Sequence, residues 1–119
     1  MKVEIIQNDH EIVRVAGSVD MSDVGIFRAA LDNAIRDSSD GLVVDMCGVN
    51  YIDSAGIQVI LNAYRQMAGS GRRLILVVTH SDVRDILTIT GIHLLPGLIL
   101  TDNLDSANKS LDAERKDQH

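Results

Sequence analysis

Two short runs of this sequence, Leu42-Val43-Val44-Asp45-Met46 and Leu74-Ile75-Leu76-Val77-Val78, are almost continuously apolar. Each is followed by a segment whose apolar residues recur at helical spacing. A strand that is apolar on both faces has to be covered on both faces, which is the pattern of a largely parallel sheet with helices packed against it. Aromatic residues make up only 3% of the chain and Trp is absent, so that core has to be built from aliphatic side chains.

The rest of the chain fits around these two runs. Val3 to Gln7 and Glu11 to Ala16 are rich in β-branched residues and flank Asn8-Asp9-His10, which predicts a hairpin. Gly17-Ser18-Val19-Asp20 then leaves the sheet. A helix is expected from Ser22 to Asp37, with Val24, Phe27, Leu31, Ala34 and Ile35 on one face. Gly48 to Asp53 reads as a connection. The next helix runs from Ser54 to Ala68 with Ile57, Ile60, Leu61, Tyr64, Met67 and Ala68 inward, and Gly69-Ser70-Gly71 ends it. A short helix over Asp82 to Thr90 turns Val83, Ile86 and Leu87 inward and stops at Gly91. Leu98 to Leu100 is a last strand, and Asp102 to Ala113 a last helix carrying Leu104, Ala107 and Leu111 on one side. The predicted order is β-β-α-β-α-β-α-β-α: one α/β domain over residues 1–113, with a mixed, mostly parallel sheet and packed helices. A polar tail follows at 114–119.

Charge and cysteine content narrow the function. A net charge of −6 gives no general attraction to nucleic acid or anionic lipid. The single Cys47 excludes an intrachain disulfide and any site built from several cysteines. No apolar run approaches the roughly 18–20 residues needed to cross a bilayer. Met1-Lys2-Val3-Glu4 has no apolar segment behind it, so no signal peptide is expected and the cytoplasm is the expected location.

The most informative segment is Val49 to Ile57, which joins a buried strand to an amphipathic helix. Sites in open α/β sheets lie where loops leave the carboxyl ends of strands. Ser54 sits at the predicted helix start, where free N–H groups and the helix dipole favour an anion. Asp53 or Ser54 suits an N-cap, and Gly56 keeps the first turn uncluttered. Capping alone accounts for an Asp and a Ser here. The same position also suits a phosphorylatable serine, because a phosphate of about −1.5 to −2 charge is tolerated at a helix N-terminus. Ala55 and Val59 fall outside the predicted inward face, either as contact residues for a partner or as scattered surface apolars. Asp20 and Ser22 open the first helix near the same sheet edge, as caps or as part of a shared surface.

Other features carry less. Gly69-Ser70-Gly71-Arg72-Arg73 lacks the form of a phosphate loop and reads as a helix stop and solvated turn. His10, His80, His93 and His119 have no metal-ligand spacing, so no metal is expected. Ile52 stands where the first Gly of Gly-x-Ser-x-Gly would be, which argues against hydrolase chemistry at Ser54. Cys47, beside a buried strand, is expected to be a small core residue.

Asp53-Ser54-Ala55-Gly56, followed by Ile57-Gln58-Val59-Ile60-Leu61, resembles the signature of STAS domains, specifically the bacterial anti-sigma factor antagonists. Gly17-Ser18-Val19-Asp20 is similar to the family's Gly-x-Leu-Asp element, with Val19 in place of Leu. Val83, Leu87, Gly91 and Ile92 match its late pattern, and the resemblance extends over residues 3–112. It implies a switch protein and not an enzyme. Such a protein binds an anti-sigma factor, often a serine kinase, and so frees a sigma factor. The kinase phosphorylates the serine after the motif Asp, here Ser54, and a phosphatase resets it. ATP, magnesium and the catalytic base belong to the kinase, so no cofactor is expected in this chain. The partner surface implied is Asp20, Ser22, Asp53, Ala55, Gly56 and Val59. The alternative within the fold is a STAS subunit of a lipid-transport ABC complex, in which Thr often replaces the serine. Ser54 favours the first reading.

Overall fold

The computed structural model describes residues 1–7 and 11–117, and the turn expected at Asn8-Asp9-His10 lies outside them. The elements are β1 (Lys2–Gln7), β2 (Glu11–Val19), α1 (Val24–Asp37), β3 (Gly41–Ile52), α2 (Ser54–Gly69), β4 (Arg73–Val77), α3 (Ser81–Ile89), a 3-10 turn at Ile92–Leu94, β5 (Leu98–Thr101) and α4 (Leu104–Asp117). Their order is the predicted one, with the 3-10 turn added. The helix expected to end near Ala113 continues to Asp117.

The five strands lie in chain order, β1-β2-β3-β4-β5. β1 pairs antiparallel with β2, and every later pairing is parallel. Each parallel step therefore moves the same way along the sheet. Crossovers of one hand then put α1, α2 and α3 on the same face. Val13, Val44, Leu74 and Leu76 point to that face, into one core with Phe27, Leu31, Ile60, Met67, Val83 and Leu87. The alternate residues Ile12, Val43, Ile75 and Val77 point to the other face, where Ala107 and Leu111 of α4 cover them. This is why the central strands read as unbroken apolar runs. At Gly41 the fit is tight, since a Cβ there would lie 2.5 Å from Leu111 Cδ2 and 3.0 Å from the Arg73 carbonyl oxygen.

Several expectations are corrected by what packs where. β2 does not leave the sheet after Ala16, and residues 48–52 are not a connection. The two strands run on together, pairing Gly17 with Val49, Ser18 with Tyr51 and Val19 with Ile52. Register shifts between Arg14 and Ala16 and between Gly17 and Ser18 break the alternation that would have revealed them. Only one face of this extension is covered, so Asn50 and Tyr51 stand exposed beside buried Val49 and Ile52. Cys47 is on the same extension and is exposed, not a core residue.

Helix α1 starts at Val24 and not at Ser22, because Asp20 to Asp23 form a turn closed by the Asp23 N–H on the Asp20 carbonyl at 3.0 Å. Its buried stripe of Phe27, Leu31, Ala34 and Ile35 is as predicted, with Ala30 added. The stripe of α2 is rotated. Gly56, Val59, Ile60, Ala63 and Met67 are buried, Leu61 and Tyr64 are half-buried, and Ala68 is exposed. The cause is α1, which lies alongside α2. Leu31 faces Val59 and Ala63 across the groove between the two helices, and Gln66 donates to Asp32 at 3.4 Å.

The turn after α2 is a helix stop, as expected, but Arg72 is not merely solvated there. Its guanidinium donates to the carbonyls of Ile35 at 2.6 Å and Ser38 at 3.0 Å. The arginine therefore satisfies open carbonyls at the end of α1 and ties that helix to the start of β4.

Candidate functional site

The upper end of β3 passes directly into α2 through a single residue, Asp53, in extended conformation. Asp53 uses every polar group it has. Its N–H donates to the Val19 carbonyl at 3.1 Å, and its own carbonyl accepts from Ile57 N–H at 3.0 Å. One carboxylate oxygen accepts from Gly56 N–H at 3.1 Å, which caps α2. The other accepts from the Met21 N–H, also at 3.1 Å. Asp53 thus joins the end of β2, the turn before α1 and the start of α2.

Ser54 is the first residue of α2 and is exposed. Asp53 is the cap, which leaves the serine hydroxyl without a structural task. No hydrogen bond engages it, and no histidine lies within hydrogen-bond reach of it, among the described residues. Beside it, the Asp20 carboxylate accepts from Ser22 N–H at 3.0 Å, so Asp20 shapes its turn and does not cap α1. Helix α1 has Asp23 at its N-cap position, with no side-chain cap bond. The fold therefore brings Asp20, Ser22, Asp53 and Ser54 to one edge.

The remaining candidates differ in exposure. Ala55 is half-buried. Gly56 is buried, and a Cβ on it would lie 2.8 Å from both Ile52 Cγ1 and Val19 Cγ1. Its lack of a side chain lets α2 start directly on the ends of β2 and β3, so it supports the site from beneath. Val59 is only 2% exposed and belongs to the core, which corrects its expected place outside the inward face. The burial comes from Leu31 of α1, a neighbour that the spacing within α2 does not reveal.

One member of this edge was not found from the sequence. Met21 is 77% exposed and hydrogen-bonded through its backbone to Asp53. A large apolar residue set between Asp20 and Ser22 in a polar turn was the available signal. Ile26, in the first turn of α1, is also exposed, at 58%.

A second polar group lies at the end of the buried half of β3, where Arg14 Nε donates to the buried Asp45 at 3.1 Å and the Cys47 N–H donates to the other carboxylate oxygen at 3.1 Å. Burial pushes the Asp45 carboxyl up, but the bonds from Cys47 and the Arg14 charge outweigh it and hold the group below its ordinary value. The Cys47 thiol is pushed up, first by partial desolvation and then by the Asp45 carboxylate. Among the described residues, no group of three or more His, Cys, Asp or Glu side chains is placed to hold a metal ion. No helix among them is long and apolar enough to cross a membrane.

A sequence profile of the STAS domain matches residues 2–107, and the chain belongs to that family. Solved structures share the fold over nearly the whole length. An anti-sigma factor antagonist from Mycobacterium paratuberculosis superposes with a TM-score of 0.83 at 22% identity, covering 93% of each chain. A serine-to-glutamate variant of RsbS from Moorella thermoacetica gives 0.78 at 24% identity, covering 98% of this chain and 99% of the other. The Bacillus cell fate determinant SpoIIAA in its phosphorylated form gives 0.66 at 18% identity, covering 92% and 97%. At these identities the likeness is one of fold.

Proposed function

We propose that this chain is an anti-sigma factor antagonist, acting in the cytoplasm, that binds an anti-sigma factor of the serine-kinase type through the edge around Ser54. Phosphorylation of Ser54 by that kinase switches it off, and a phosphatase restores it. The observation that carries this reading is the position of Ser54. Its hydroxyl is exposed and unengaged on the first turn of α2, while the capping task is taken by Asp53. Support comes from STAS-family membership and from the likeness to SpoIIAA, which exists in a phosphorylated form with this fold. The chain serves as ligand and substrate, and the phosphoryl-transfer chemistry resides in the kinase.

The energetics suit a switch without refolding. A thousandfold loss of affinity corresponds to about 4 kcal/mol. Two unit charges about 4 Å apart interact by about 4 kcal/mol at an effective dielectric of 20. A phosphate in the middle of an interface supplies that much through repulsion and desolvation. The helix N-terminus meanwhile tolerates it within the fold.

The test is capture from a lysate of the source cell with wild-type, Ser54→Ala and Ser54→Asp baits, followed by mass spectrometry of the partners and of Ser54. The expected result is an anti-sigma factor kinase held by wild type and Ser54→Ala, lost with Ser54→Asp, and phosphate found on Ser54. Capture of the same transporter subunits by all three baits, with Ser54 unmodified, would overturn it in favour of the lipid-transport alternative.

A further inference from the structure

The Asp53 carboxylate holds two N–H groups of very different character. One oxygen caps α2 through Gly56 N–H, inside the fold, and the other reaches across to the exposed turn and holds Met21 N–H. The other bonds that shape this turn, from Ser22 N–H and Asp23 N–H to Asp20, are internal to it. Among the described residues, the bond from Met21 to Asp53 is the hydrogen bond that ties the turn to α2. The side chain presented there is 77% exposed, and among the described residues Ile89 at the end of α3 is the one large apolar side chain more exposed.

We propose that Asp53 is a latch that holds Met21 as the apolar anchor of the docking surface, and that a phosphate on Ser54 opens the latch. This rests on the reading of Ser54 as the phosphorylated residue. The physical argument concerns three groups at one helix end. A phosphate on the first residue of α2 is drawn to the unpaired first-turn N–H groups. It then stands next to the Asp53 carboxylate, and the two anions repel. The carboxylate oxygen on Gly56 N–H is held by the capping geometry and by the helix dipole. The oxygen on Met21 is held by an exposed N–H that water can satisfy equally well, so this arm is the one that lets go. The Asp20 and Asp53 carboxylates hold the turn that carries Met21, on a chain of net charge −6, whereas the Asp23 carboxylate is paired with the Met1 ammonium at 3.6 Å. The matching partner surface is therefore an apolar socket edged by cations, which receives Met21 only while the turn is held in place. Asp53 is a positioning residue in this scheme, acting through Met21.

The test is amide hydrogen exchange by NMR on the full chain. The proteins compared are wild type, protein with phosphoserine installed at position 54 by codon suppression, Asp53→Asn and Asp53→Ala. Asn caps a helix about as well as Asp but offers one acceptor oxygen in place of two, so it separates the cap from the latch. The expected result is roughly tenfold faster exchange at the Met21 amide in the phosphorylated and Asp53→Asn proteins, with Val43 and Val44 unchanged, as for a local opening. In Asp53→Ala both Met21 and Gly56 amides are expected to speed up. Unchanged Met21 exchange in the phosphorylated and Asp53→Asn proteins would overturn the latch. The measurement needs no partner, so the two readings fail separately. Faster Met21 exchange without any captured anti-sigma factor leaves the latch and removes the partner. A captured partner that phosphate releases, with Met21 exchange unmoved, does the reverse.

Discussion

The two halves of β3 differ more than any two neighbouring regions of this protein. From Gly41 to Met46 every residue is buried, with α1 to α3 over one face and α4 over the other. From Cys47 to Ile52 only Val49 and Ile52 are buried, the pairing with β2 shifts register, and one face is open. The first half holds the fold together. The second projects past the end of β4, whose pairing with β3 stops at Asp45 and Val77, and delivers Asp53 and Ser54 to an exposed edge. The buried core and the candidate site are thus separated along a single strand, and a change at Ser54 need not reach the core.

Substitutions test this separation. The largest effect is expected in the buried half. Leu42→Ala removes a fully buried side chain from the core beneath the helices and should cost about 2–5 kcal/mol in chemical denaturation. A loss as large from Asn50→Ala would break the comparison. Next comes Gly56→Ala, which drives a methyl against Ile52 and Val19 and should cost about 1–3 kcal/mol, read as a lowered thermal midpoint. Here, as at Val49 and Ile52, the exposed end bears directly on the core.

Asp53→Ala should cost about 1 kcal/mol by uncapping α2, whereas Asp53→Asn should cost little, measured in parallel urea titrations.

The Asp45 carboxyl offers a pH test where the buried half of β3 ends. Its folded pKa lies below the ordinary value of 3.8, so the stability it contributes is fully present above that value. It is lost as the pH falls below 3.8 through the depressed folded value. Because Arg14 is half exposed, the loss should be at most about 1 kcal/mol. Asp45→Asn should flatten the acid limb of the stability curve below pH 3.8. An unchanged limb would show that other carboxylates dominate there.

The smallest effect is expected at the site itself. Ser54→Ala should change stability by less than about 0.5 kcal/mol, because the hydroxyl holds nothing, and on the proposed function it should also abolish phosphate incorporation at this position.

Much of this architecture is legible in the amino-acid sequence. The element order, the parallel core and the inward faces of α1, α3 and α4 follow from periodicity, and Phe27, Leu31, Val83, Leu87, Ala107 and Leu111 are buried as expected. The strand-to-helix junction at Asp53 and Ser54, where the candidate site lies, is legible too. Three things are not. Val59 reads as a surface residue because spacing within α2 carries no information about α1. The extension of β2 and β3 is hidden because register shifts and a single covered face erase the alternation that marks a strand. The exposure of Cys47 is hidden with it, since the residue lies on that extension.

The sequence alone determined which segments are strands and helices and which faces avoid water, because these depend on spacing between near neighbours and on side-chain polarity. Tertiary structure decided which faces are in fact covered and which distant groups meet. The bond from Met21 to Asp53 joins residues 32 positions apart, and no local pattern encodes it. It forms because parallel pairing of β2 with β3 brings the ends of the two strands together, with Val19 beside Ile52, and leaves the carboxylate that follows one strand within reach of the turn that follows the other.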